Sequence, residues 1–214
     1  FAAPIRADTS HLGTILGFPY VVAQGGAETT IIRIANTNAG AVDVLCQYAD
    51  RTGNVVGQTF PLAGNGSVGF DLSVTFGIGD EGFMFCWAVN GTGNRAINWN
   101  FLTGSATILD DSPSDSKWEY SAWGFAARTG TVGNVVVAGP AGLRQIPLNG
   151  TNFDSCAEYL IGQYSPEVTN ANSGVNTVRF RGGRFSAVPC NVDFTALSMP
   201  NPTALTPITT TTLT

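Results

Sequence analysis

Residues 41–62, AVDVLCQYADRTGNVVGQTFPL, decide the fold. Val42, Val44, Cys46 and Tyr48 fall at alternate positions, the period of a strand with one buried face. Asp50-Arg51-Thr52-Gly53-Asn54 carries hairpin turn chemistry, and Val55 to Leu62 returns as a second strand. The same signature extends to either side. Glu28 to Asn36 (ETTIIRIAN) is β-branched and ends in Asn-rich turn chemistry. Ser67 to Leu72 reads as a strand, and Gly82 to Val89 (GFMFCWAV) is long and apolar enough to be a central one. Asn90-Gly91-Thr92-Gly93-Asn94 then turns the chain into Ala96 to Ile108. Turns recur about every ten residues, the rhythm of an all-β antiparallel sandwich, Ig-like or jelly-roll-like.

Working outward, residues 1–17 (FAAPIRADTSHLGTILG) are weakly patterned and read as an extended arm carrying Ile5, Leu12, Ile15 and Leu16. Residues 18–110 form the expected sandwich core. The acidic stretch Asp110-Asp111-Ser112-Pro113-Ser114-Asp115-Ser116 marks the internal boundary. Beyond it, 111–197 reads as a second β-rich half, packed on the first or forming a small β-domain of its own. Within that half, Trp118 to Ala127 and Asn134 to Val137 read as strands, and Val175 to Phe185 as a hairpin around Gly182-Gly183. The one helix expected covers 153–163 (FDSCAEYLIGQ), with Asp154 or Ser155 as its cap. From Ser198 to Thr214 (SMPNPTALTPITTTTLT) the chain is a Pro/Thr-rich tail with Leu205, Ile208 and Leu213 spaced among threonines.

Composition narrows the setting. The 214 residues are 43% apolar, enough for one core or two smaller ones. Charged residues make up 12%, about half the usual share of a soluble domain. A surface so poor in charge is kept soluble by Thr, Ser, Asn and Gly, or is covered by glycans or by copies of the same chain. The net charge of −5 gives no electrostatic reason to expect nucleic acid. No stretch approaches the roughly 20 apolar residues of a membrane span. The opening Phe1-Ala2-Ala3-Pro4 reads like a mature chain after signal cleavage.

Four cysteines allow three pairings, or four reduced thiols. Export, suggested by the low charge and the Thr-rich end, favours disulfides, with Cys46–Cys86 and Cys156–Cys190 as the expected nearest-neighbour pairs. With one histidine and no CxxC, an ordinary zinc site is not expected, and no cofactor is implied.

The run Phe18-Pro19-Tyr20, Gly25-Gly26, Thr29 to Asn36, Tyr48 to Gly53 and Pro61-Leu62 resembles a pattern in secreted bacterial Ig-like β-sandwich proteins. Tyr120 to Phe125 and Cys156 to Leu160 resemble those proteins as well. The resemblance spans 18–195 and implies a sandwich in an extracellular setting, without implying an activity.

Candidate chemistry is thin. His11, the sole histidine, lies on the N-terminal arm, away from any triad context. Asn65-Gly66-Ser67-Val68-Gly69 is half a nucleophile elbow, and Ser114-Asp115-Ser116-Lys117 matches S-x-x-K inside a linker. Asp71, Glu81 and Glu119 are carboxylates near aromatics that a glycosidase would need as a spaced pair. Asp80/Glu81 and Asp110/Asp111/Asp115 are acidic loops without the ligand spacing of an EF-hand. Arg179, Arg181 and Arg184 cluster around aromatics, and Trp99 and Trp118 are the exposed tryptophans expected to contact a ligand, whereas Trp87 beside Cys86 reads as core. Asn65, Asn90 and Asn149 head N-x-S/T sequons in turns. The expectation is therefore a non-enzymatic, secreted structural subunit. Its β-prone arms would add as strands to a neighbouring copy, building a filament or surface layer. An adhesin or carbohydrate-binding module for cell-surface glycans is the second reading and a secreted hydrolase the third.

Overall fold

The structure, a computed structural model, describes residues 12–25, 28–50, 55–77, 79–89, 96–110, 117–128, 145–147, 153–154, 159–161, 167–170, 175–179, 182–184, 191–193 and 210–213. Beyond Arg128, side chains are described for Phe153 and Asp154 alone.

Two antiparallel sheets pack as a sandwich. The first comprises β1 (Ile15–Val22), β3 (Val42–Asp50), β4 (Val55–Leu62), β6 (Glu81–Val89) and β9 (Trp123–Phe125), in the order β4-β3-β6-β1-β9. The second comprises β2 (Glu28–Asn36), β5 (Ser67–Asp71), β7 (Leu102–Asp110) and β8 (Lys117–Ser121), in the order β5-β2-β7-β8. The core between them follows from alternation. Val44, Cys46 and Tyr48 of β3 and Met84, Cys86 and Ala88 of β6 meet Ile32 and Ile34 of β2 and Ala106 and Ile108 of β7.

The five-stranded sheet is apolar on its other face as well. Leu45, Phe83, Phe85, Trp87, Ile15 and Phe125 form a second buried cluster there, joined by Phe153. This is why β6 reads as an unbroken apolar run, since a strand buried on both faces has no polar parity. Phe153 belongs to the chain beyond the sandwich and is moored to it. It bridges Ala127, while Asp154 donates its N–H to the Ala126 carbonyl at 2.9 Å and pairs with Arg128 at 3.7 Å.

Cys46 and Cys86 face each other across β3 and β6 and form a disulfide, as expected, with both side chains fully buried. Cys156 and Cys190 lie outside the described residues.

Several boundaries differ from the sequence reading. Ile15 and Leu16 belong to no free arm: they open β1, an interior strand, and are 0% and 1% exposed. Pro19 obscured this strand. A bulge accommodates it, because the ladder passes from Phe18 opposite Met84 to Val21 opposite Gly82, leaving Pro19 and Tyr20 to share one partner. Tyr120 of β8 donates its buried hydroxyl to the Tyr20 carbonyl at that bulge, tying one sheet to the other.

The acidic stretch is no break in the sandwich, since β7 and β8 on either side of it pair directly. Trp118 to Ala127 is two strands in different sheets, with the crossing at Ala122. Among the described residues the one helix is α1 (Leu72–Phe76), capped by the Asp71 side chain. Residues 153–163 instead contain β11 (Tyr159–Ile161), which pairs with β14 (Gly182–Arg184). That pairing separates β14 from β13 (Val175–Arg179), so 175–185 is not a hairpin; β13 lies between β12 (Glu167–Asn170) and β16 (Thr210–Leu213). A further short pair joins β10 (Gln145–Pro147) to β15 (Asn191–Asp193).

Candidate functional site

Among the described residues the sandwich has four edge strands, and their sequences decide which one is open to a partner. β9 is three residues long. β5 ends in Asp71, and β8 carries Lys117 and Glu119. β4 is eight residues long, carries no charge, and exposes Gly57, Gln58, Thr59 and Pro61. Charge, shortness and proline are the usual devices that stop an edge from pairing with a foreign strand. On β4 the only such device is Pro61. Proline has no N–H to give, so it sits in the phase of an antiparallel ladder that points away from the partner strand. Val55, Gly57 and Thr59 share that phase, and their N–H and C=O groups face the open side. The edge is held from behind by a full ladder to β3, from Val42 opposite Leu62 to Ala49 opposite Val55. Phe60 stacks on Phe70 with ring centroids 4.4 Å apart, fixing β4 to the other sheet.

Trp99 is no free platform. Its Nε1 donates to Asn36 Oδ1 at 3.1 Å, and its ring meets Phe101 edge-on at 5.7 Å. Asn36 is 2% exposed and is the hub of this end of the sandwich. Its Nδ2 donates to the carbonyls of Gly40 and Ala63, and its Oδ1 also accepts from the Asn38 N–H. Sequence reading took Asn36 as turn chemistry. Its signal as a hub is an asparagine continuing the inward phase of Ile32 and Ile34.

The carboxylates do not converge. Asp71 and Glu119 lie in one row across the four-stranded sheet, Asp71–Ile31–Thr107–Glu119. Three strand spacings put them about 14 Å apart, beyond the span of a glycosidase pair. Glu81 is on the other sheet. Asp71 accepts from Thr29 Oγ1 at 2.8 Å, Ser73 Oγ at 2.7 Å and the Val74 N–H at 3.2 Å. Partial burial pushes its carboxyl upward, but these hydrogen bonds outweigh it and hold the group below its ordinary 3.8. Asp80 accepts from the Glu81 N–H and Gln24 Nε2, and among the described residues no three ligand-type side chains are grouped to hold a metal. Burial, and secondarily the charge of Asp50, pushes the Tyr48 hydroxyl well above its ordinary range, where it donates to the Asp80 carbonyl.

The remaining predicted residues scatter. Leu12 is 40% exposed, where the chain enters the sandwich. Leu213 is in β16, opposite Asn176 of β13. Asn65 sits exposed in the turn between β4 and β5 with φ 53°. Trp118 lies on β8, Arg179 at the end of β13 and Arg184 on β14, with their side chains outside the description. Ile5, His11, Asn90, Asp111, Ser114, Asp115, Asn149, Arg181, Leu205 and Ile208 fall outside the described residues.

No family model matches this sequence, and no curated protein matches it. A solved structure, the crystal structure of Thermotoga maritima 1070, aligns with TM-score 0.43 at 9% identity, covering 52% of this chain and 94% of that one. Likeness at that level carries no functional argument. No helix among the described residues is long and apolar enough to cross a membrane.

Proposed function

We propose that this chain is a non-enzymatic, secreted structural subunit that polymerises by strand addition, with β4 as the acceptor edge. The observation that carries this reading is the eight-residue, uncharged, exposed edge of β4. The donor is the N-terminal segment 1–11 of a neighbouring copy. It precedes the exposed Leu12, whereas Thr210–Leu213 of the C-terminal tail already pairs with β13 of its own chain. Eleven extended residues reach roughly 36 Å, longer than β4 itself. The contact is heterologous, so repetition that does not close yields a filament. The buried Cys46–Cys86 disulfide and the 12% charge support an oxidising, extracellular setting.

Negative-stain electron microscopy of native protein tests this. Regular filaments that disappear when residues 1–11 are deleted support it. Dispersed particles at every concentration, or filaments that survive the deletion, overturn it.

A further inference from the structure

The outer face of the four-stranded sheet carries a concavity of about 510 Å³, within the size range of small-molecule sites. Its origin is legible in the strand register. Gly69, Arg33, Ser105 and Ser121 lie in one row across all four strands, with Ser67, Ala35 and Thr103 in the next. Alternation sends Ile32 and Ile34 into the core and leaves Arg33 outside, among neighbours too small to fill the surface around it. A Cβ at Gly69 would meet nothing nearer than Arg33 Cγ and Ile32 O at 3.8 Å, so the hollow beside the arginine is a missing side chain.

Arg33 is held in this hollow. Its Nη1 donates to Thr107 Oγ1 at 3.1 Å, and Thr107 is only 3% exposed. Among the described residues that is its one hydrogen bond, and no carboxylate pairs with it. Among the described residues, the lining has no acidic residue and no second cation, in a chain whose net charge is −5. A guanidinium with free donors presents a fork that matches a carboxylate. The hydroxyls of Ser67, Thr103, Ser105 and Ser121 around it match a polyol.

We propose that this concavity binds an acidic saccharide, with the sugar carboxylate on Arg33 and the ring hydroxyls on the surrounding Ser and Thr side chains. Among the described residues no aromatic ring lines the site to stack on a sugar, so affinity rests on the charge-assisted contact and the hydroxyl hydrogen bonds together, and dissociation constants of about 1 mM follow. The site lies apart from the β4 edge, and its failure would leave the assembly reading untouched.

Isothermal titration of the full chain with digalacturonate, cellobiose and succinate tests it. Digalacturonate is expected to bind at least about tenfold more tightly than either control, and to weaken as salt is raised. Arg33→Gln and Gly69→Val should each lower its affinity at least about tenfold, the first by removing the charge and the second by filling the hollow. Both leave the core untouched, so their melting temperatures should stay near that of the parent. Cellobiose binding as well as digalacturonate would overturn the role of Arg33. Succinate binding equally would overturn the saccharide. No binding of digalacturonate, or full affinity in either folded variant, would overturn the site.

Discussion

At the scale of single residues, buried polar groups with several partners hold this sandwich together. Asn36 satisfies two carbonyls, one backbone N–H and the Trp99 indole from a single amide. Asn36→Ala strands all of them at once and is expected to cost about 2–4 kcal/mol in urea unfolding. A loss under 1 kcal/mol, by that scale, would show that water replaces the amide. Asp71 makes a pH-dependent contribution whose sign follows from its depressed carboxyl. The folded group ionises below the unfolded 3.8, so its stabilisation is present above about pH 4 and is lost as pH falls through the folded value. Melting temperatures of parent and Asp71→Asn across this range should therefore converge in acid, and parallel curves would contradict the assignment. Neither role stands out in the sequence. Asn36 and Asp71 both sit where a strand pattern ends, a place in which Asn and Asp are common for reasons of turn chemistry alone.

At the scale of elements, two strands show what pattern does and does not reveal. The β3–β4 hairpin and central β6 are legible because alternation, turn residues and an unbroken apolar run agree. β1 is not, because Pro19 contradicts an interior strand unless a bulge is placed there, and the bulge depends on a partner 100 residues away, the Tyr120 hydroxyl. Tyr120→Phe leaves the Tyr20 carbonyl without that donor. It should cost about 1–3 kcal/mol by chemical denaturation, with the fold retained by circular dichroism. The 153–163 segment fails for a related reason. Its spacing of Cys156, Tyr159 and Leu160 suits a helix face, but pairing of Tyr159–Ile161 with Gly182–Arg184 prevails, and that pairing is non-local. The β4 edge, the candidate site itself, is legible in composition: eight residues without a charge. That it is an edge is a matter of topology, which the sequence pattern does not specify.

At the scale of the whole molecule, the Cys46–Cys86 disulfide bears on stability and the β4 edge on the proposed assembly. The Cys46–Cys86 bridge links residues 40 apart on the two strands at the middle of the core. Constraint of the unfolded chain by a loop of that length is worth up to about 4 kcal/mol. Because both sulfurs are buried, reductant should open this bridge in the unfolded chain and spare it in the folded one. Thiol labelling with and without urea distinguishes this from direct reduction of the folded state. The open edge carries the functional claim. Replacing Gln58 and Thr59 together by lysine places like charges on β4 without touching its ladder to β3, and should abolish filaments while leaving the monomer folded. The most direct test of strand addition is hydrogen exchange of the β4 amides, compared between assembled and dispersed protein. The outward-facing amides of Gly57 and Thr59 should exchange rapidly in dispersed subunits and become protected on assembly. Filaments in which those two amides remain as fast as in the monomer would contradict it.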